Sequence, residues 1–261
     1  MAHRGLPFCL STLGEDYASL RAVLALRLAA ACAPRYINVG MPKCGSTSIQ
    51  SFYQCHGMTS AHWQISRGHY VGDETHACDA RGRPLLDCGP CRDVYAQIDA
   101  ENPPDHCWFP QITHLAGLVQ DYGNATFLLP TRNATAWAHS TAHWQAMNER
   151  FTRCQLPSVG APRDGSAAEG AAFYERVTRR ARASIARAEE THGLRWVEFD
   201  ITDPAAGELP AATVPGGGRA ACWGQRNTNT KPGYAAAIDT VAKRSGSVLP
   251  GGGFNKWLSL S

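Results

Sequence analysis

Charge is scarce in this chain: charged side chains make up 18% of its 261 residues, and the net charge is only +3. So mild a balance gives no ground for a nucleic-acid partner, while it still admits an acidic ligand. Long apolar runs are short as well. Residues 19–33 are rich in Ala and Leu, but Arg21 and Arg27 interrupt them and Glu15 and Asp16 precede them. The run falls below the ~20 apolar residues that a bilayer span needs. It reads as an amphipathic helix packed near the first strand, or as a degraded signal anchor, and any membrane association would run through it.

Residues 36–53, YINVGMPKCGSTSIQSFY, organise the rest. The apolar run at 36–39 predicts a strand, Gly40, Pro42 and Gly45 predict a turn, and residues 46–53 predict a helix. That junction aims backbone N–H groups and the positive end of a helix dipole at one spot, which suits a phosphate or similar oxyanion. Gly40 and Gly45 let a ligand approach the backbone, Lys43 adds a cation, and Ser46, Thr47 and Ser48 add hydroxyls. The two glycines have the spacing of the nucleotide-triphosphate loop GxxxxGK. Its lysine is absent, because Ser46 fills that position and Lys43 lies inside the turn.

A second stretch, TFLLPTRNATAWAHSTAHW at 126–144, adds to the first. Residues 127–129 predict a short buried strand, and Asn133 with Thr135 can cap the helix that follows. Arg132 therefore stands at a strand's carboxyl end, with Ser140 about two turns into the helix. A guanidinium makes a charge-assisted fork to a phosphate, and a hydroxyl adds one more donor. With the lysine moved into the loop as PKCGST, and with Ser140 eight residues after Arg132, the chain resembles the sulfotransferases. Those enzymes use 3′-phosphoadenosine 5′-phosphosulfate.

The resemblance covers residues 36–234 in element order, and the two phosphate motifs carry its specific part. It implies an α/β fold, a three-layer sandwich with a mostly parallel central sheet of the P-loop NTPase-like kind. It puts Lys43, Cys44, Gly45, Ser46, Thr47 and Ser48 around the 5′-phosphosulfate, and Arg132 and Ser140 on the 3′-phosphate. The implied reaction moves a sulfuryl group, without a metal, to a hydroxyl or amine of a carbohydrate, peptide or small molecule. In the heparan-type relatives a glutamate on the loop's helix is the base. Its position here holds Ser51, after Gln50, and no carboxylate lies on that helix. His62, followed by Trp63, and His56 are the nearest titratable groups, and histidine titrates in a suitable range. A late Cys-x-Gly segment closes over the nucleotide in the carbohydrate-type relatives. Residues 222–226, CWGQR, with Lys231 resemble it, which makes Arg226 and Lys231 candidate contacts.

Residues 55–107 read as a Cys-rich irregular insertion in a domain spanning 36–234, with a terminal segment at 1–35 and a helix and glycine-rich tail at 235–261. Cys88-Gly89-Pro90-Cys91 resembles a thioredoxin redox pair, though the expected tryptophan is missing. Cys78, Cys88, Cys91 and Cys107 read more simply as two disulfides, with a zinc site including His76 as the alternative. Ten cysteines and the sequons at Asn124 and Asn133 lean towards an oxidising secretory lumen such as the Golgi, over the cytoplasm.

Residues 112–122 predict a helix, 153–170 a surface loop, 171–192 a long helix stopped by Gly193, and 194–199 a further strand. Glu198 and Asp200 read as structural or substrate-edge residues. As metal ligands they would serve a rival reading, an ATP- or GTP-dependent kinase or NTPase. A non-catalytic or redox module built on Cys88 and Cys91 is the third.

Overall fold

The structure, a computed structural model, describes residues 32–66, 69–102, 106–145, 147–154, 156, 159–160, 162 and 164–224. The predicted N-terminal segment, the C-terminal helix and tail, and Arg226 and Lys231 lie outside the described residues. The centre of the fold is a seven-stranded sheet. At the middle of its five parallel strands is β1 (Tyr36–Asn38), with β5 (Val94–Gln97) parallel on one side and β8 (Thr126–Thr131) parallel on the other. β2 (Ser60–His62) lies parallel outside β5, and β9 (Arg195–Asp200) parallel outside β8. Two short antiparallel strands, β3 (Gln64–Ser66) and β4 (His69–Tyr70), extend the β2 edge. A separate hairpin pairs β6 (Ala100–Asn102) with β7 (His106–Trp108).

Eight α-helices stand among the described residues: α1 (Ser46–Cys55), α2 (Val71–Ala80), α3 (Pro110–Thr113), α4 (Leu115–Tyr122), α5 (Ala134–Ala142), α6 (Met147–Arg153), α7 (Ala167–His192) and α8 (Glu208–Thr213). They cover both faces of the sheet. Tyr36, Val94, Ala96, Leu128 and Phe199 share one face and pack with Ile49, Phe52 and Tyr53 of α1 and Ala211 of α8. The residues between them, Ile37, Tyr95, Phe127 and Leu129, are equally buried on the other, as the two-residue period of a strand requires. There α7 lies against β9: Arg182 meets Glu198, and Trp196 donates to Glu189.

Four differences from the sequence expectations have physical causes. Residues 55–107 are no insertion, because β2 and β5 within them complete the parallel sheet. At three and four residues those strands are too short to display a period. The helix expected at 112–122 breaks at His114 into α3 and α4. The long helix starts at Ala167 rather than 171, because Ser166 caps it by accepting the Glu169 N–H at 3.2 Å. Finally, Cys78, Cys88, Cys91 and Cys107 do not pair only with one another. The disulfides are Cys32–Cys91, Cys55–Cys222, Cys78–Cys88 and Cys107–Cys154. Cys88 and Cys91 thus have different partners and do not form a redox pair with each other. Four disulfides are compatible with an oxidising secretory compartment, and no helix among the described residues is long and apolar enough to cross a membrane.

The topology prepares one place for a ligand. β1 feeds α1 on the first face, while its neighbour β8 feeds α5, whose Trp137 and Ala138 pack with Phe173, Tyr174 and Val177 of α7. Adjacent parallel strands that send their helices to opposite faces leave a crevice between their carboxyl ends.

Candidate functional site

The turn after β1 occupies that crevice. Asn38 fixes its exit, donating from Nδ2 to Ala96 O at 2.7 Å and accepting the Gly40 N–H at 2.9 Å. A Cβ on Gly40 would stand 2.6 Å from Pro130 Cγ and 2.9 Å from its carbonyl oxygen, so only glycine passes β8 here. Lys43 (φ 68°) and Gly45 (φ 80°) are both left-handed, which for lysine costs of order 1 kcal/mol. Side chains from the other motif hold that conformation. Trp137 Nε1 donates to Pro42 O at 2.8 Å, and Arg132 Nη1 donates to Lys43 O at 3.1 Å. The Cys44 thiol donates to Tyr174 Oη at 3.6 Å, and the same oxygen accepts the Arg132 backbone N–H at 3.0 Å.

These bonds tie back the carbonyls that would repel an anion. Along α1 the Ile49 N–H bonds to Gly45 O at 2.9 Å, while those of Gly45, Ser46 and Thr47 have no acceptor within the helix. Arg132 Nε is buried with no hydrogen-bond partner among the described residues. An unsatisfied buried donor beside free N–H groups is what an anion would repair. Lys43 Nζ rests 3.6 Å above the Trp144 ring, a cation–π contact at the edge of the turn. Ser140 is buried on α5 about one turn beyond Trp137. Ser48 is buried in the first turn of α1, and burial pushes the Cys44 thiol up to about 12, so Cys44 serves as an inert anchor.

Opposite the turn stands His62, at the carboxyl end of β2. Its Nε2 lies 2.9 Å from Ser46 Oγ and 3.4 Å from Thr47 Oγ1. A register shift between Ala61 and His62 sets His62 against Gln97 of β5 rather than Ala96. Ser46 Oγ donates to Gln97 Oε1 at 3.3 Å, Gln97 Nε2 donates to Asp99 Oδ1 at 3.0 Å, and Gln111 Nε2 donates to Asp99 Oδ2 at 2.7 Å. Burial pushes His62 down to about 4 and Asp99 up to about 6. At neutral pH the imidazole is therefore uncharged, with a lone pair to offer. Asp99 escaped the sequence reading, although it follows the apolar run VYAQI as Arg132 follows its own strand.

Other candidates lie elsewhere. His56 is at the far end of α1, about 15 Å from Ser46 by helical rise. Both its nitrogens are in use: Nδ1 is 2.8 Å from Phe52 O, and Nε2 accepts the Arg219 N–H at 2.8 Å. This corrects its candidacy as the base. Residues 220–224 belong to that same end, where Cys222 is bonded to Cys55 and Trp223 packs on Phe52 and Phe199. They do not lie over the turn. Compared with known proteins, the chain matches no family model, no curated protein and no solved structure.

Proposed function

We propose that this chain is a sulfotransferase, moving a sulfuryl group from 3′-phosphoadenosine 5′-phosphosulfate to a hydroxyl or amine of a carbohydrate, peptide or small molecule in the secretory lumen. One observation carries the reading: Arg132 Nη1 donates to Lys43 O at 3.1 Å, so the two phosphate motifs, 89 residues apart, meet at one crevice. A doubly phosphorylated adenosine needs such a pair of neighbouring anion sites. The residues present fit it. The N–H groups of Gly45, Ser46 and Thr47, with Lys43, would receive the 5′-phosphosulfate, and Arg132 with Ser140 the 3′-phosphate.

The chemistry asked of the protein is modest. As the bond from sulfur to the phosphate oxygen breaks, charge grows on that oxygen, and Lys43 with the helix N–H groups stabilises it. His62 takes the proton that the acceptor gives up as its oxygen or nitrogen bonds to sulfur. Anions beside the imidazole would raise its pKa from about 4 and strengthen it as a base once the donor is bound.

Calorimetry with adenosine 3′,5′-bisphosphate and a chelator tests the reading. Wild type should bind without magnesium, and Arg132→Ala should weaken binding by about 2 kcal/mol or more, through lost charge-assisted bonds. No binding by the wild-type chain would overturn it. A screen with labelled donor against sugars, tyrosyl peptides, lipids and small alcohols would then identify the acceptor.

A further inference from the structure

We propose that Asp99 is a positioning residue that fixes the tautomer of His62, so that Nε2 carries the proton and Nδ1 the free lone pair. The tautomer follows from the hydrogen-bond network alone; only its catalytic consequence rests on the sulfotransferase reading.

A carboxylate accepts and cannot donate. Each oxygen of the buried Asp99 faces an amide nitrogen, Gln97 Nε2 at 3.0 Å and Gln111 Nε2 at 2.7 Å. Gln111 makes this bond even though its own Oε1 is left buried without a hydrogen-bond partner among the described residues. With the amide N–H group of Gln97 turned to Asp99, its Oε1 must face Ser46, and an amide oxygen only accepts. The single hydroxyl proton of Ser46 therefore goes to Gln97, at 3.3 Å. Ser46 Oγ is left as an acceptor, and His62 Nε2, 2.9 Å away, must supply the proton of that bond. Thr47 Oγ1, 3.4 Å from the same nitrogen, accepts a second, longer branch.

The other tautomer breaks this order. Were Nε2 bare, the Ser46 proton would turn to His62, and lone pairs of Ser46 and Gln97 would confront each other at 3.3 Å inside the protein. The register shift that sets His62 opposite Gln97 builds the contact into the sheet. Ser46 thereby acts on the histidine, and its hydroxyl proton is not offered to the anion. In the transfer step the acceptor's proton passes to Nδ1, the bond from sulfur to the acceptor forms, and the bond from sulfur to the phosphate oxygen breaks. The imidazolium then keeps its Nε2–H bond to Ser46.

The test is a long-range proton–nitrogen correlation spectrum of the full chain labelled with nitrogen-15 histidine, recorded near pH 8. The His62 signals are identified by their loss in His62→Gln. Wild type should give a proton on Nε2 and a bare Nδ1; the reverse pattern overturns the proposal without any further variant. Asp99→Asn lets the Gln97 amide turn over. It should move His62 towards the Nδ1–H form and lower kcat on the order of 100-fold, with affinity for adenosine 3′,5′-bisphosphate kept. Gln97→Leu cuts the next link and carries the same expectation. A folded variant of either kind with an unchanged His62 spectrum overturns the proposal. If wild type fails to bind the bisphosphate yet has the expected spectrum, the sulfotransferase reading falls and the tautomer assignment stands.

Discussion

The two ends of α1 are built from the same kinds of residue and do opposite things. At the amino end, Gly45 leaves N–H groups exposed to a crevice, and His62 stands on Ser46 with a lone pair to spare. At the carboxyl end, His56 has both nitrogens engaged, Cys55 is bonded to Cys222, and Trp223 seals the apolar face on Phe52. Among the described residues, one end keeps N–H groups without an acceptor in the helix and a buried Arg132 Nε without a partner, and the other engages His56, Cys55 and the Cys55 carbonyl. A histidine near a candidate site is thus distinguished by what its nitrogens already hold, and its distance along the chain says little.

The largest effect expected from that contrast is catalytic. His62→Gln should lower sulfuryl transfer by roughly two to four orders of magnitude, the usual worth of a positioned base, whereas His56→Gln should leave turnover within a few-fold. Rates measured at saturating donor decide it, and a dead His56→Gln beside an active His62→Gln would reverse the roles of the two ends.

Next comes stability. Replacing Cys55 and Cys222 together by serine opens a loop of 167 residues and should cost about 3–5 kcal/mol in urea unfolding. Affinity for adenosine 3′,5′-bisphosphate should stay within about threefold, since the crosslink secures the end of α1 away from the crevice. A large loss of affinity in a folded variant would mean that the two ends are coupled.

The amino end also has a pH signature. His62 is held at about 4, below the ordinary histidine value, so the folded state resists its protonation. Relative to His62→Gln, wild type should therefore lose stability as pH falls from about 6.5 to 4, by roughly 3 kcal/mol in all. Asp99, held up to about 6, works the other way: its contribution falls as pH rises from about 4 to 6. Over that window the two oppose each other in wild type, and His62→Gln should unmask the downward slope. Chemical unfolding of both proteins across pH 4–7 measures the difference, in which the remaining titrating groups drop out.

How much of this was legible in the sequence depends on how local each feature is. Gly40 and Gly45 between a β-rich run and a helix announced the turn, and the apolar run before Arg132 announced a strand end, while the Arg132 bond to Lys43 O was visible only in the structure. The mostly parallel sheet was expected only through the resemblance carried by the two phosphate motifs, and β2 and β5 were hidden because three or four residues carry no period. Cysteine pairing was hidden for a different reason. Cys32 reaches Cys91 and Cys107 reaches Cys154 across 59 and 47 residues, separations that sequence spacing does not constrain. Asp99 touches neither Ser46 nor His62 and acts only through an amide, so no motif spacing betrays it.

The smallest effect expected belongs to Glu198, and it separates two readings of the crevice. Arg182 donates from Nε to Glu198 at 2.7 Å in a partly exposed ion pair on the face covered by α7. Asp200, at the end of the same strand, accepts the Thr202 N–H at 2.8 Å and the Thr202 hydroxyl at 2.6 Å, which closes a turn. Both carboxylates thus have structural partners. Glu198→Gln should cost no more than about 1 kcal/mol of stability, the usual worth of an exposed pair, and should leave bisphosphate binding unchanged. A kinase built on a metal-holding acid in β9 would behave otherwise: it would need magnesium for triphosphate binding and lose that binding with the acid. Titrating ATP with magnesium into wild type and Glu198→Gln tests this, and a magnesium-dependent affinity that vanishes in the variant would assign the crevice to phosphoryl transfer.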